Sequence, residues 1–466
     1  WLHRILLRTR FSEDRVRVVA TKLLNGASSA RRNGRHMAGT LLRDSVFHPT
    51  RSNLAVSNVV RQQRFLKAVL QRLSINPAEV CGELEELRAY LTHPTRMRLH
   101  VACNVLHLEG AARPWKEHFS ASAIAASPVP AAAQLPASAT MRHGSVQFSQ
   151  ELLRSDACLG PHPSSAPKGK LVALSSLETS YFFQATRGPS AFDAEDTAAL
   201  MVALEYLTAL EGDFWRKIRG QGLSYSYGLN PRAEEATLTL QLFKSTDLPG
   251  AYKAAKDIVE GYVTEATPLN AATLEASKST VVYSLVAREE SVAAAASQSF
   301  RNALRGVMPG YNQALARRVL DVSLEDTLCA MQQYLPPLFD ALTSTVSIAT
   351  GVTTKSSVVT GMAGLGIVVE DIGSLDATFT EDDTVPDEVH GVEAGAAGAG
   401  EVVAPAAPRR APASSGEGAA SGSPSFVDSV IDVAVEGGWK TGLVVTGVVV
   451  GAAVVGWLWT RRTRNR

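Results

Sequence analysis

Cysteine is scarce. It occurs four times in 466 residues, at Cys81, Cys103, Cys158 and Cys329, and never as a CxxC pair. That spacing argues against a cysteine zinc site or a disulfide framework and suits a reducing compartment. An excess of one charge is missing too. The formal net charge is +1, so no global field draws the chain to nucleic acid, and no nucleic-acid partner is expected. None of the ten histidines stands in HxxEH or HExxH, so no zinc site is assigned to this chain. A glycine-rich phosphate loop ending in Lys–Ser/Thr and a GxSxG elbow are also absent. The run GMAGLG (361–366) precedes an expected strand instead of following one, which argues against a dinucleotide site. Residue 1 is Trp and not Met, so the chain is expected to be truncated or processed there, and a missing targeting signal carries no weight.

What is present centres on DFWRKIRGQGLSYSYG (213–228). Before it lie an expected strand, Glu178–Ala185, and an apolar-periodic run, Asp193–Leu210, with Leu200, Leu204, Leu207 and Leu210 at helical spacing. The helix is expected to run on into Trp215 and Ile218 and to stop at Gly220 and Gly222. Alternating LSYSYGLN and ATLTLQLFKS then read as a hairpin. Arg219 and Tyr225 fall at the two mouths of the glycine turn, a fixed cation and a phenol able to hold a carbonyl or a developing oxyanion. The plainer account also stands: a C-capping glycine, an arginine favoured by the helix dipole, and a strand tyrosine.

Residues 11–118 read as mixed helix and strand. Phe11–Leu24 has a helical stripe with Ser12 as cap. Leu41–Val46 and Val56–Leu73 continue helically, Asn76–Thr92 starts on Asn76 and Pro77, and Met97–Val105 alternates like a strand. The patch Arg31, Arg32, Arg35 reads as a solvated loop, with an anion site as the other reading. Residues 119–169 are an Ala/Ser/Pro-rich linker or insertion. Residues 170–382 alternate strand, helix, hairpin, several helices, strand (Thr345–Thr350), helix (Ser356–Leu365) and strand (Gly366–Ile372). Ser323 with Asp326 three residues on predicts a capping box for Ser323–Tyr334. This is the pattern of an α+β layered fold, helices on one face of a mostly antiparallel sheet. Residues 383–425 read as a disordered tether. Within 426–466, Gly442–Trp459 carries no charge and would span about 27 Å as a helix. Trp457 and Trp459 suit an interface, Arg461, Arg462, Arg464 and Arg466 follow, and Gly447 and Gly451 have GxxxG spacing. The expectation is a transmembrane tail anchor facing the cytosol, on the mitochondrial outer membrane or another organelle; a buried apolar core segment is the alternative.

EGDFWRKIRGQGLSYSYGLN (211–230) resembles the C-terminal half of the insulysin/pitrilysin-type (inverzincin) zinc metallopeptidases, in particular their presequence-protease-like branch. FSEDRVRVVATKLLNGASSARRNGRHMAG, NVVRQQRFLKAVL, RGVMPGYNQALARRVLDVSLEDTLCAMQQYLPPLFD and GLGIVVEDI extend the likeness over residues 11–118 and 170–382. The resemblance implies two repeated layered α/β domains: 1–118 as a catalytically silent third domain and 170–382 as the C-terminal domain. It implies that Arg219 and Tyr225 reach a peptide substrate across a closed chamber, with Tyr227 as the fallback if the register slips. Zinc is implied for the whole enzyme but not bound by this chain, since HxxEH would lie in an N-terminal peptidase half that is its expected partner. The anchor at Gly442–Trp459 departs from the family. The alternative is a non-catalytic, membrane-tethered scaffold or partner subunit of the same superfamily.

Overall fold

The computed structural model describes residues 2–47, 57–93, 117–118, 169–192 and 194–373. The expected strand Met97–Val105, the tether 383–425 and the segment Gly442–Trp459 lie outside the described residues. Among the described residues no helix is long and apolar enough to cross a membrane.

The N-terminal part is helical: α1 (Leu2–Arg8), α2 (Glu13–Ala30), α3 (Gly34–Val46), α4 (Val59–Ile75) and α5 (Pro77–Leu91). Local chemistry sets their starts. Asn33, Asn58 and Asn76 each accept a backbone N–H from the first turn of the helix that follows, and Pro77 takes the first position of α5. The expected cap at Ser12 forms no side-chain hydrogen bond.

The remaining elements are β1 (Gly169–Leu174), β2 (Ser180–Arg187), α6 (Thr197–Thr208), a π-helical turn (Trp215–Arg219), β3 (Ser224–Arg232) and β4 (Thr237–Ser245). Then follow α7 (Leu248–Val263), α8 (Ala271–Ala287), α9 (Val292–Arg305), α10 (Tyr311–Asp321), α11 (Leu324–Tyr334), β5 (Thr345–Gly351), α12 (Lys355–Gly364) and β6 (Val369–Asp371). The strands form one sheet in the order β3-β4-β2-β5-β1-β6. β1 runs parallel to β5 and β6, and the other pairings are antiparallel, so the sheet is mixed and not antiparallel throughout.

The expectation of helices on one face is corrected. On the first face Leu171, Phe182, Leu240, Leu242 and Ile348 pack against α6, α7, α11 and α12. On the second, Val172 and Ala349 pack against Met37, Ala38 and Leu41 of α3. The reason is visible in β5, buried at every position, with Val346 and Ile348 facing one way and Ser347 and Ala349 the other. A strand buried on both faces needs a layer on each. The Ser347 hydroxyl, buried under α3, donates to the Ala38 carbonyl of that helix at 2.7 Å and is thereby satisfied. α6 is apolar on two sides. Leu200, Leu204 and Leu207 face the sheet, while Ala198 and Val202 meet α8 and α10 through Leu274, Val281, Leu285, Leu315 and Val319.

Candidate functional site

The expected single helix into Trp215 and Ile218 is two pieces. α6 stops at Thr208, and Glu211 takes a φ of 63° before the chain enters the π-turn. Phe214 and Ile218 are fully buried in the sheet-side core and fix the turn from below. The Asp213 carboxylate accepts from the Tyr262 hydroxyl at 3.0 Å and faces Lys217 Nζ at 3.5 Å. The Gly220 N–H donates to the Trp215 carbonyl at 2.7 Å, the i to i+5 bond of a π-turn. The wide turn leaves Arg219 exposed.

Of the two glycines, only Gly222 needs a left-handed backbone, with φ 73°. Gly220 is right-handed, but a Cβ there would lie 2.8 Å from the Arg216 carbonyl oxygen. The turn is tied to the end of β4: the Thr246 hydroxyl donates to the Gly222 carbonyl at 2.7 Å and its N–H to the Leu223 carbonyl at 3.1 Å.

The structure brings the two sequence-derived residues together. The Arg219 guanidinium carbon lies 5.1 Å from the centre of the Tyr225 ring, and Tyr225 is 61% exposed. Tyr227 differs. It is half-buried, packs its ring 5.6 Å from Phe214, and its phenol is pushed up to about 12 by burial. Arg219 pulls that phenol back and Glu205 pushes it further up, so Arg219 is within electrostatic reach of both tyrosines. Burial also pushes the Glu205 carboxyl up.

Sequence reasoning missed Lys244. Its Nζ lies 5.3 Å from the Tyr225 ring centre. Lys244 has a φ of 52° and is the extra residue where β4 slips register against β2, between the pairs Ser180–Ser245 and Tyr181–Phe243. The one signal was the adjacent pair Leu242–Phe243, which breaks the strand's alternation just before the bulge.

The site therefore offers two cations around an exposed phenol. It lies beside β3, which among the described residues pairs only with β4 and leaves its other edge open. Arginine, lysine and phenol suit an oxygen acceptor, not a metal. Among the described residues no group of three or more His, Cys, Asp or Glu could hold a metal ion, so these residues do not fit a zinc site.

No family model matches the chain. It is similar to an uncharacterized protein of Caenorhabditis elegans, 24% identical over 350 residues, covering 73% of this chain and 32% of the relative. It is also similar to an uncharacterized protein of Saccharomyces cerevisiae, 23% identical over 410 residues, covering 83% and 36%. The chain thus spans about a third of the length of the curated relatives it matches. Among solved structures it is similar to a peptidase M16 inactive domain from Pseudomonas fluorescens, at 14% identity, 73% of this chain, 72% of that one and a TM-score of 0.45.

Proposed function

We propose that this chain is the C-terminal half of a zinc metalloendopeptidase, forming one wall of a peptide-degrading chamber and presenting Arg219 and Tyr225 to the substrate. The observation that carries this reading is the convergence of Arg219 and Tyr225, six positions apart, into one exposed contact beside an open strand edge. The guanidinium can donate two parallel hydrogen bonds and the phenol one, toward a carbonyl oxygen gaining charge. The open edge of β3 can pair with the backbone of an extended peptide. The metal and its carbonyl-polarising chemistry belong, on this reading, to residues outside this chain.

In the complete protein, Arg219→Ala is expected to lower kcat for peptide cleavage by about a hundredfold with little change in KM, and Tyr225→Phe by about tenfold. Unchanged kcat in both variants would overturn the catalytic assignment.

A second reading draws on the same contact. A phenol approached by both Arg219 and Lys244 is a closed cation–π cluster that needs no substrate. The chain is then a non-catalytic scaffold, tethered to an organelle membrane and facing the cytosol. That tether is Gly442–Trp459, outside the described residues. It is tested by fusing 426–466 to a soluble reporter; a reporter that stays out of the membrane fraction removes the tether from both readings.

A further inference from the structure

The site around Tyr225 holds two cations whose charge no acid answers. Arg219 and Lys244 are both exposed and both lie against the Tyr225 ring, and among the described residues neither forms an ion pair. The acids nearby are committed elsewhere. The Asp213 carboxylate takes the Tyr262 hydroxyl and faces Lys217. The Asp247 carboxylate caps α7, accepting the Gly250 N–H at 3.0 Å. Glu205 is half-buried, and burial favours its neutral form. Glu211, ahead of the π-turn, pairs with neither cation among the described residues.

Lys244 is also held against its own backbone preference. A φ of 52° suits glycine or asparagine, not lysine. Buried serines fix the bulge in that shape. The Ser245 hydroxyl donates to Ser224 Oγ at 2.9 Å, and the Ser224 hydroxyl donates to the Phe243 carbonyl at 3.0 Å, with both serines 1% exposed. Ser224 pairs with Ser245 and Ser226 with Phe243, so Tyr225 stands opposite Lys244 across the ladder. The lysine side chain therefore reaches from β4 over a ring that belongs to β3.

We propose that Lys244 selects peptides carrying a glutamate beside the residue whose carbonyl Arg219 and Tyr225 hold, a selection that rests on the peptidase reading above. A peptide paired to the open edge of β3 runs as the next strand, and every second side chain of it lies on the Tyr225 side. Lys244 on β4 stands two strand spacings from that peptide, about 10 Å. A lysine and a glutamate pointing toward each other across Tyr225 span this gap with their own methylenes. An aspartate is one methylene shorter and reaches less well. Contact with the ring leaves the ammonium protons able to donate to an oxygen acceptor. The carboxylate then meets Nζ at the ring, and Arg219 adds a second favourable charge. A lysine or arginine at the same peptide position meets two like charges and is rejected.

The test uses the complete protein and uncharged peptides of one sequence, each carrying Glu, Asp, Gln or Lys at one position, with that position moved along the peptide. Cleavage is read as kcat/KM, and binding as fluorescence anisotropy with metal removed by a chelator. The parent is expected to prefer the best-placed Glu peptide to its Gln counterpart about tenfold in both readouts, with Asp between them and Lys last. High salt is expected to shrink the preference. Lys244→Gly suits the left-handed backbone and keeps the fold, as its melting temperature checks, and its Glu preference is expected to fall to about one. The change is expected in KM and not in kcat. Lys244→Glu is expected to reverse the order and favour the Lys peptide. A Lys244 with a structural role alone would alter stability and leave the order of peptides as it was. If binding shows a Glu preference that depends on Lys244 but no peptide is cut, the peptidase reading fails and the recognition stands. The proposal is overturned if the parent does not distinguish Glu from Gln at any position, if Lys244→Gly keeps the distinction, or if no peptide binds.

Discussion

Tyr225 and Tyr227 stand two positions apart on β3, yet one ring lies open between cations and the other sits against Phe214 in the core margin. Because Arg219 and Tyr225 are both exposed, Arg219→Ala is expected to cost only about 0.5–1 kcal/mol of stability. Urea denaturation of the variant checks this, and separates loss of activity from loss of fold. The buried phenols predict an alkaline limit. Burial pushes Tyr227, Tyr252 and Tyr334 up to about 12 and Tyr262 further still. Each folded value lies above the unfolded value of 10, so the stability they contribute is fully present below pH 10 and is lost as pH rises through 12. Urea midpoints across that range are expected to fall, and less steeply for Tyr252→Phe once its own lower starting stability is subtracted. The pairing of Arg219 with Tyr225 was legible from spacing. Lys244 was not, because its place on the ring depends on a left-handed residue at a bulge, which propensity does not announce.

Elements with chemical punctuation were the most readable. Asn76 and Pro77 open α5, and the expected capping box is present at α11: the Asp326 N–H donates to Ser323 Oγ at 3.0 Å, and the Asp326 carboxylate accepts from the Ser323 N–H at 2.9 Å. Ser323→Ala is expected to cost about 1 kcal/mol. Hydrogen bonds from the Ser323 hydroxyl and N–H hold the Asp326 carboxyl below its usual range. That contribution is present above the unfolded value of 3.8 and lost as pH falls through the folded one, so the penalty of Ser323→Ala shrinks in acid. Urea midpoints of parent and variant at neutral and acid pH read both effects. α10 escaped the sequence reading for the opposite reason. It starts at Gly310, left-handed with φ 77° and no side-chain cap, so nothing in the residue types marks its beginning. The break after α6 was hidden likewise, since Glu211 adopts a positive φ that its residue type does not advertise.

At the scale of the molecule, the layer on the second face of the sheet is the feature with the largest consequence. It joins residues far apart in sequence through α3, where Gly34 lets the helix approach Tyr181 so closely that a Cβ would lie 2.3 Å from the ring. Gly34→Leu is expected to cost about 1–3 kcal/mol by forcing the layers apart, read as a lower urea midpoint. A midpoint unchanged from the parent would show that α3 does not rest on the sheet. The sequence by itself determined the local matters: most helix starts, the hairpin, the alternation of β4, and the placing of an arginine and a tyrosine around a glycine turn. Each is written in residues a few positions apart, through caps, periodicity and turn chemistry. Only the tertiary structure decided which strands run parallel, that helices cover both faces, that Lys244 joins Arg219 at Tyr225, and that Arg43 and Arg232 line one small cavity with Thr237. Those outcomes depend on contacts between distant segments, where a buried strand such as β5 accepts a partner on either side and periodicity cannot say which helix supplies it.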